Sequence, residues 1–543
     1  MSGTQQTLLD HAKALEKQGR FNDALAVYQQ AIGADPTSPQ GYLQLGGALF
    51  IAGFQAEANR VFEIGCGEVP GSPVLNWAHC MSSLPMIYAD EAEMARARSD
   101  FSIRLHALRE LCFASMTSLT QSVEAVGILS PFFLSYQGQN ETALHALHGR
   151  LVSDIMAANF PQYTLPLHRP WTLGEPIRVG IVSGLFWRHA VWRMPIRGWV
   201  ENLDRSRFHL TGYHTRPERD DQTDYAKRCF DRFVQGSMPV AEWAGLITRD
   251  APHVLIYPEL ANVQAGIQLA ALRLAPVQCT SWGQPITTGL PTIDYYLSSD
   301  LMEPPDGDTH YTESLVRLPG LGVVLEADYA AWGEALPATD IWATPELPPD
   351  AVRIVCCQSL TKYLPMFDDL FPRIALDLPA ARFLFINTQQ RGAEILARRL
   401  DAAFARFGLA SGVHCRFVGT LSPSGFSAMI RDAHIFLDTP VWSGCNTTLD
   451  AFGHRIPIVA IPGNFMRGRH SLAILTKAGV TDTIAHSLDE YVAITVRLGR
   501  DPAWRADVGS RLAAGAAQVF GDVTPVRALE DFLTAAVVTA NRA

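Results

Sequence analysis

The sequence predicts an α-helical repeat region followed by two Rossmann-like α/β domains that face each other across a cleft. Three observations predict it. The first hundred residues repeat with a period of 34, a run of alternating apolar strands and amphipathic helices begins at Ile177, and a second such run comes after a proline- and alanine-rich stretch. The chain has 543 residues, is 48% hydrophobic and 18% charged, and carries a net charge of −10. Those proportions describe a globular protein of roughly three or four domains. The acidic balance, with no basic tail or stripe, argues against nucleic acid as the main partner.

The repeat is read from paired positions. Gly19 and Gly53, Ala24 and Ala58, Tyr28 and Phe62, Pro36 and Pro70, and Pro39 and Pro73 each stand 34 apart. This is the tetratricopeptide pattern, a helix–turn–helix unit that cannot bury its apolar face alone. Two units must therefore lean on the next helices of the chain. The expectation is tetratricopeptide-like helices over residues 1–100 and a helical connector over 101–170. The repeat offers a groove for a partner protein, and a plain helical cap is the alternative. The N-terminus has no basic segment leading into an apolar run, and no stretch of 18 apolar residues occurs, so neither a secretory signal nor a membrane span is expected. Nine scattered cysteines suggest no disulfide framework. The expected compartment is the cytoplasm.

IRVGIVSGLF, from Ile177, is a continuous Val/Ile-rich run, as expected of a strand covered on both faces. FHLTGYH, HVLIYPEL, VQCTSWG and IDYYLSS come next as strands, with MPIRGWVENL and QLAALRL as helices between them. Alternation of this kind implies a parallel sheet. The first α/β domain is placed at 171–325 and an interdomain linker at 326–351. The second domain, 352–543, holds the strands VRIVCCQ, RFLFIN, VHCRFVG, HIFLDT and IVAIP and a closing helix.

In parallel sheets of this type ligands bind beyond the carboxyl ends of the strands. After HIFLDT comes a run of small polar groups: Ser443, Gly444, Cys445, Asn446, Thr447 and Thr448. The backbone N–H groups that open a helix are unpaired and partially positive, which makes an anion site. Thr447 and Thr448 would add hydroxyls, and Asp450, one turn on, a carboxylate for ribose. The alternative is capping alone, since Thr447-x-x-Asp450 has the capping-box pattern. Lys362, after the strand VRIVCCQ, can pair with a diphosphate as a compact charge. Gln358 can read a base edge. His189 ends the loop after the first strand and is either structural or catalytic. The dinucleotide, P-loop and HExxH patterns are missing. His145 and His148 lack a third ligand, and Asp306-Gly307-Asp308 sits in a turn, so no metal site is assigned.

Together these segments resemble the O-GlcNAc transferase/SPINDLY family of protein glycosyltransferases. The resemblance is carried by VGIVSGLFWRHAVWRMPIRGW, LRLAPVQCTSWGQPITTGLPTIDYYLSSD, CCQSLTKYLP, FLDTPVWSGCNTTLDAFGHRIPIVAIPG and MRGRHSLAILTKAGV. It implies a metal-independent, GT-B type enzyme with no cofactor. The implied donor is a nucleotide sugar, typically UDP-GlcNAc, and the implied acceptor a protein Ser/Thr hydroxyl presented by the repeat arm. His189 falls on the family's active-site histidine, Gln358 and Lys362 on its uracil-side glutamine and diphosphate lysine, Thr447 and Asp450 on its phosphate and ribose contacts, and Arg469 on a basic position. The chain departs from the family at Cys445-Asn446-Thr447, where His-Thr-Thr is usual. It also has Pro423 and Phe426 where a lysine and a histidine are common; Phe426 offers a flat face to a pyrimidine. These departures keep other outcomes open: glucose transfer to asparagine, a CMP-linked nonulosonic acid transferred to flagellin, epimerisation of a sugar nucleotide, or an inactive scaffold.

Overall fold

The computed structural model describes residues 3–260, 263–326, 341–342, 347–387 and 390–542. It opens with five helices, Gly3–Lys17, Phe21–Ala34, Pro39–Ile51, Gln55–Glu68 and Pro73–Met81. The 34-residue period is a packing period. Ala24, Ala58, Tyr28 and Phe62 are all fully buried. Gly19 and Gly53 close the first helix of their units at φ +75 and +85, where a side chain would be strained. Pro39 and Pro73 each start a helix, where a missing N–H costs nothing.

The connector continues as helices Glu91–Cys112, Met116–Ala125 and Thr142–Asn159, with a 3₁₀ turn at Pro131–Gln137. Trp77, Phe101 and Leu105 share one apolar core with Tyr213, Trp243 and Leu255 of the first α/β domain. The repeats therefore rest on a connector that is itself part of that domain.

The first sheet contains β1 (Ile177–Ser183), β2 (Phe208–His214), β3 (Arg232–Gln235), β4 (Val254–Tyr257), β5 (Val277–Ser281), β6 (Tyr295–Ser299) and β7 (Ser314–Leu318). Their order is β3-β2-β1-β4-β5-β6-β7, and every pairing is parallel. The second contains β8 (Val352–Cys356), β9 (Ala381–Ile386), β10 (Cys415–Val418), β11 (Ile435–Leu437) and β12 (Ile458–Val459), in the order β10-β9-β8-β11-β12, again parallel throughout. The chain reverses its winding between β1 and β4, and between β8 and β11. Each reversal opens a crevice at the carboxyl ends of the strands.

The last helix, Thr524–Arg542, crosses back. Phe532 packs edge-on to Tyr295 at 5.0 Å, Glu530 accepts from the Asp204 N–H at 2.8 Å, and Asn541 donates to the Trp171 carbonyl at 2.9 Å. The sequence assigns this helix to the second domain, but its contacts lie on the first. Of the expected linker 326–351, residues 327–340 and 343–346 fall outside the described residues. Among the described residues no helix is long and apolar enough to cross a membrane.

Candidate active site

The turn after β11 is built by Asp438. This buried carboxylate accepts from the N–H groups of Thr439 (3.0 Å) and Gly444 (2.5 Å) and from the Ser443 hydroxyl (2.6 Å). Ser443 Oγ in turn receives the Ser471 N–H at 2.9 Å. Gly444 is required by close approach. A Cβ there would lie 2.3 Å from Gln358 Nε2, 2.6 Å from Thr448 Oγ1 and 2.8 Å from Thr447 Oγ1. The helix Asn446–Gly453 then begins with Cys445 as N-cap and no side-chain capping bond. The capping box suggested by Thr447-x-x-Asp450 does not form, so no side chain occupies the capping role. Two residues before Ser443, Val441 sits at φ +72. A β-branched residue there stores roughly 1–3 kcal/mol of strain.

Lys362 lies after β8, the neighbour of β11. Its ammonium donates to the Ser443 carbonyl and to Gln358 Oε1, both at 2.9 Å. An ammonium has three N–H donors, so a third is left for an anion. Burial pulls the Lys362 pKa down to about 8, and the Asp438 carboxylate opposes the fall. Gln358 is a correction to the sequence reading. It is 2% exposed, accepts from Lys362, and donates to Thr447 Oγ1 at 2.8 Å and to Asp438 at 3.4 Å. With both ends of its amide engaged, it braces the site and is not poised to read a base. Because Thr447 accepts from Gln358, its hydroxyl proton is free to donate.

A cavity of about 370 Å³ lies against these groups. Gln358, Lys362, Ser443, Asn446 and Thr447 form its polar side. Ala190, Val191, Met194 and Trp282 face them from the first domain, and Phe132 and Tyr136 from the connector. Across the base, Cys445 Sγ touches Met194 Sδ at 3.5 Å and the Trp282 ring lies 5.4 Å from His470. His189 stands beside Ala190 and Val191, stacked on Trp187 at 6.0 Å. Its Nδ1 accepts from the Val191 N–H at 3.1 Å. That backbone group can only donate, so the neutral ring carries its proton on Nε2. Burial, reinforced by Arg216, lowers the His189 pKa and keeps the ring neutral.

Asp450 lies on the same short helix, half-buried, one turn beyond Thr447 and not itself among the cavity-lining side chains. Burial raises its pKa to about 6, and Arg193 opposes the rise. The remaining predicted residues fall elsewhere. Thr448 is fully buried and hydrogen-bonded to Ser471 Oγ at 2.8 Å, so its hydroxyl serves the fold. Phe426, on the helix Pro423–Arg431, packs half-buried against the core and is not among the cavity-lining side chains, which removes its proposed stacking role. Arg469 donates to the Gly463 carbonyl at 3.3 Å and lies near Glu303 and Asp306, off the cavity wall. Sequence reasoning missed Asp438, Tyr136, Trp442 and Arg467. Only Asp438 carried a signal: an acidic residue ending a buried strand.

Two facing parallel α/β domains, a C-terminal helix that returns to the first, and a cavity between them make a GT-B type fold. A single-substitution mutant of the O-GlcNAc transferase of Thermobaculum terrenum superposes with a TM-score of 0.72 at 23% identity, covering 99% of this chain and 98% of that one. The glycosyl transferase family 41 profile matches residues 429–518, and a TPR repeat profile matches residues 12–53. SPINDLY of Arabidopsis thaliana, a probable UDP-N-acetylglucosamine–peptide N-acetylglucosaminyltransferase, is 28% identical over 341 residues, covering 60% of this chain and 35% of its own. The UDP-N-acetylglucosamine–peptide N-acetylglucosaminyltransferase of Caenorhabditis elegans is 29% identical over 192 residues, covering 34% of this chain and 16% of its own. The chain thus spans about a third of the length of SPINDLY. Its sequence is similar to the O-GlcNAc transferase/SPINDLY glycosyltransferases over these segments.

Proposed function

We propose that the chain transfers a sugar, GlcNAc from UDP-GlcNAc, to Ser/Thr hydroxyls of an acceptor protein, without metal or cofactor. The observation that carries this reading is the meeting of Lys362 with an uncapped helix N-terminus in a cavity between the two sheets. The acceptor oxygen attacks the anomeric carbon as the bond to the β-phosphate oxygen breaks; the nucleoside diphosphate leaves with the electron pair and takes up the proton that the acceptor hydroxyl loses. Stabilising that departing charge is the largest catalytic requirement. Lys362, the Thr447 hydroxyl and the N–H groups that open the helix Asn446–Gly453 are arranged to supply it. His189 presents a donor in its present tautomer, which supports a role in placing the acceptor rather than taking its proton.

Among the described residues lining the cavity, Lys362 is the one charged cation, because burial holds His470 neutral with a pKa of about 3. This supports a neutral sugar over an acidic nonulosonic acid. The proposed compartment is the cytoplasm, in keeping with cysteines that are all unpaired. The test is intact-mass analysis of acceptor proteins, flagellin included, incubated with a panel of UDP- and CMP-sugars. A mass gain of one N-acetylhexosamine from UDP-GlcNAc is expected. Donor hydrolysis or epimerisation with no acceptor modified would overturn the reading, as would absence of nucleotide binding.

Two site variants separate binding from turnover. Asp450→Asn should weaken nucleoside binding while sparing turnover at saturating donor. In the wild type, kcat/KM should fall as the pH drops through about 6, because the Asp450 carboxylate protonates there. The variant should lose that acid limb; an unchanged pH profile would remove Asp450 from donor binding. His189→Ala should leave donor affinity intact and lower turnover by roughly 100-fold, the cost of a misplaced reactant. Near-normal turnover would return His189 to a structural role.

A further inference from the structure

We propose that the helical connector is a third wall of the donor site, in which Tyr136 is a positioning residue that holds the diphosphate-binding turn in its working shape. The proposal rests on the donor-site reading of the cavity. The Tyr136 ring stacks on Trp442 with centroids 4.1 Å apart and planes at 19°. Phe132 meets the same indole edge-on at 5.7 Å. Gly138 lies directly on Val441, so that a Cβ there would come within 2.2 Å of Val441 Cγ1. Tyr88, Met94 and Ala97 pack around Val441 from the start of the connector.

The other flank of the turn is held by the same stretch. Arg467, whose carbonyl accepts from the Ser443 N–H at 2.9 Å, places its guanidinium on Glu141 at 2.8 and 2.9 Å. It also donates to the carbonyls of Ser135 and Gln139, both at 3.0 Å. Both members of the ion pair are 4% exposed. A β-branched residue persists in the left-handed region only where its surroundings over-determine it. At Val441 the connector supplies that constraint. Trp442 immediately precedes Ser443, whose carbonyl anchors Lys362, so a shift of the indole moves the lysine's anchor. At its far side the stretch reaches the repeat arm, where Phe133 packs edge-on to Phe50 at 5.7 Å. One continuous set of contacts thus runs from the arm to the lysine.

The test uses the full chain. UDP affinity is measured by calorimetry and backbone amide exchange by mass spectrometry for the wild type, Tyr136→Ala and Tyr136→Phe. Tyr136→Ala should lose roughly ten-fold in UDP affinity through lost pre-organisation. It should speed exchange over 440–447 while β8 and β9 keep their protection, and Tyr136→Phe, which retains the stacked ring, should restore both. UDP affinity within about two-fold of wild type, or loss of protection spread evenly over all strands, would overturn the positioning role. If Tyr136→Ala does not fold, Glu141→Gln keeps the shape and removes one charge of the pair. Unchanged exchange at 440–447 in that variant would overturn the proposal. A wild type that does not bind UDP would refute the donor-site reading, and the exchange data would still decide whether the connector holds the turn.

Discussion

Lys362→Ala will nearly silence sugar transfer while weakening nucleotide binding much less. The ammonium is fixed by the Ser443 carbonyl and Gln358 Oε1, both at 2.9 Å, on the wall of the cavity. A charge-assisted contact to a bound diphosphate contributes about 1.5–3 kcal/mol, which is roughly 10- to 150-fold in affinity. Negative charge on the leaving group grows as the glycosidic bond breaks, so the contact strengthens in the transition state. Turnover should therefore fall by roughly 100- to 1,000-fold, the range seen when one such donor is removed. Lys362→Arg should rescue poorly, because a planar five-donor fork cannot take the place of a compact ammonium between Gln358 and Ser443. Transfer rate measured against donor concentration separates the effects. Full turnover at saturating donor would refute the leaving-group role and leave Lys362 a binding residue.

The same lysine sets the alkaline limit. Its pKa stands at about 8, lowered from 10.5 by burial. The charged form is complete below that value and is lost as the pH rises through it. Because kcat/KM reports the free enzyme, it should decline above about pH 8. Bound diphosphate favours the charged lysine, so kcat should hold to higher pH. Lys362→Arg, whatever activity it retains, should show no such limb.

Much of this architecture was legible because it is locally encoded. The buried central strands β1 and β4 carry apolar runs, as do β8, β9 and β11 of the second sheet, and β2, β5 and β6 are marked by β-branched and aromatic residues between turns. The two strands that sequence reading missed, β3 and β7, are the edges of the first sheet. Each is partly exposed and lacks such a run, so no pattern marks it. The anion turn was legible from its small polar residues at a strand–helix junction, and Lys362 from its place after a parallel strand. Their surroundings were not. Arg467 reads as an ordinary surface cation, yet it is buried against Glu141, more than 300 residues away. Gln358 reads as a ligand contact, yet the cross-strand positions of Thr447 and Lys362 consume both ends of its amide. Val441 and Gly138 are unremarkable apart, and only the fold brings them together. Local chemistry thus announced the site, and long-range contacts decided which polar groups face the ligand.

Cutting the arm at two points should give opposite results for donor binding. The repeat region read from sequence ends near residue 100, which suggests that all of it is dispensable for the nucleotide. The structure places the division earlier. The repeat helices through Glu68 bury their side chains mainly against one another and against the helix Pro73–Met81. Residues 82–100 instead buttress the turn that lines the cavity. The Tyr88 carbonyl receives Arg399 Nη1 at 2.8 Å, and Arg399 is also bonded to Asp368 and to the carbonyl of Tyr363, the residue after Lys362. Tyr88, Met94 and Ala97 pack on the strained Val441. Removal of residues 1–68 should therefore leave UDP affinity within a few-fold of wild type while abolishing modification of a whole protein acceptor, if the arm recruits it. Removal of residues 1–100 should abolish UDP binding outright, since it strips the packing around Val441 and leaves the buried Arg399 one carbonyl short. Calorimetry with UDP, intact-mass analysis of the acceptor and thermal unfolding of both truncations make the comparison. Equal UDP affinity in the two would show that residues 82–100 play no part in the donor site. Full acceptor modification by the shorter cut would show that the repeats do not recruit the acceptor.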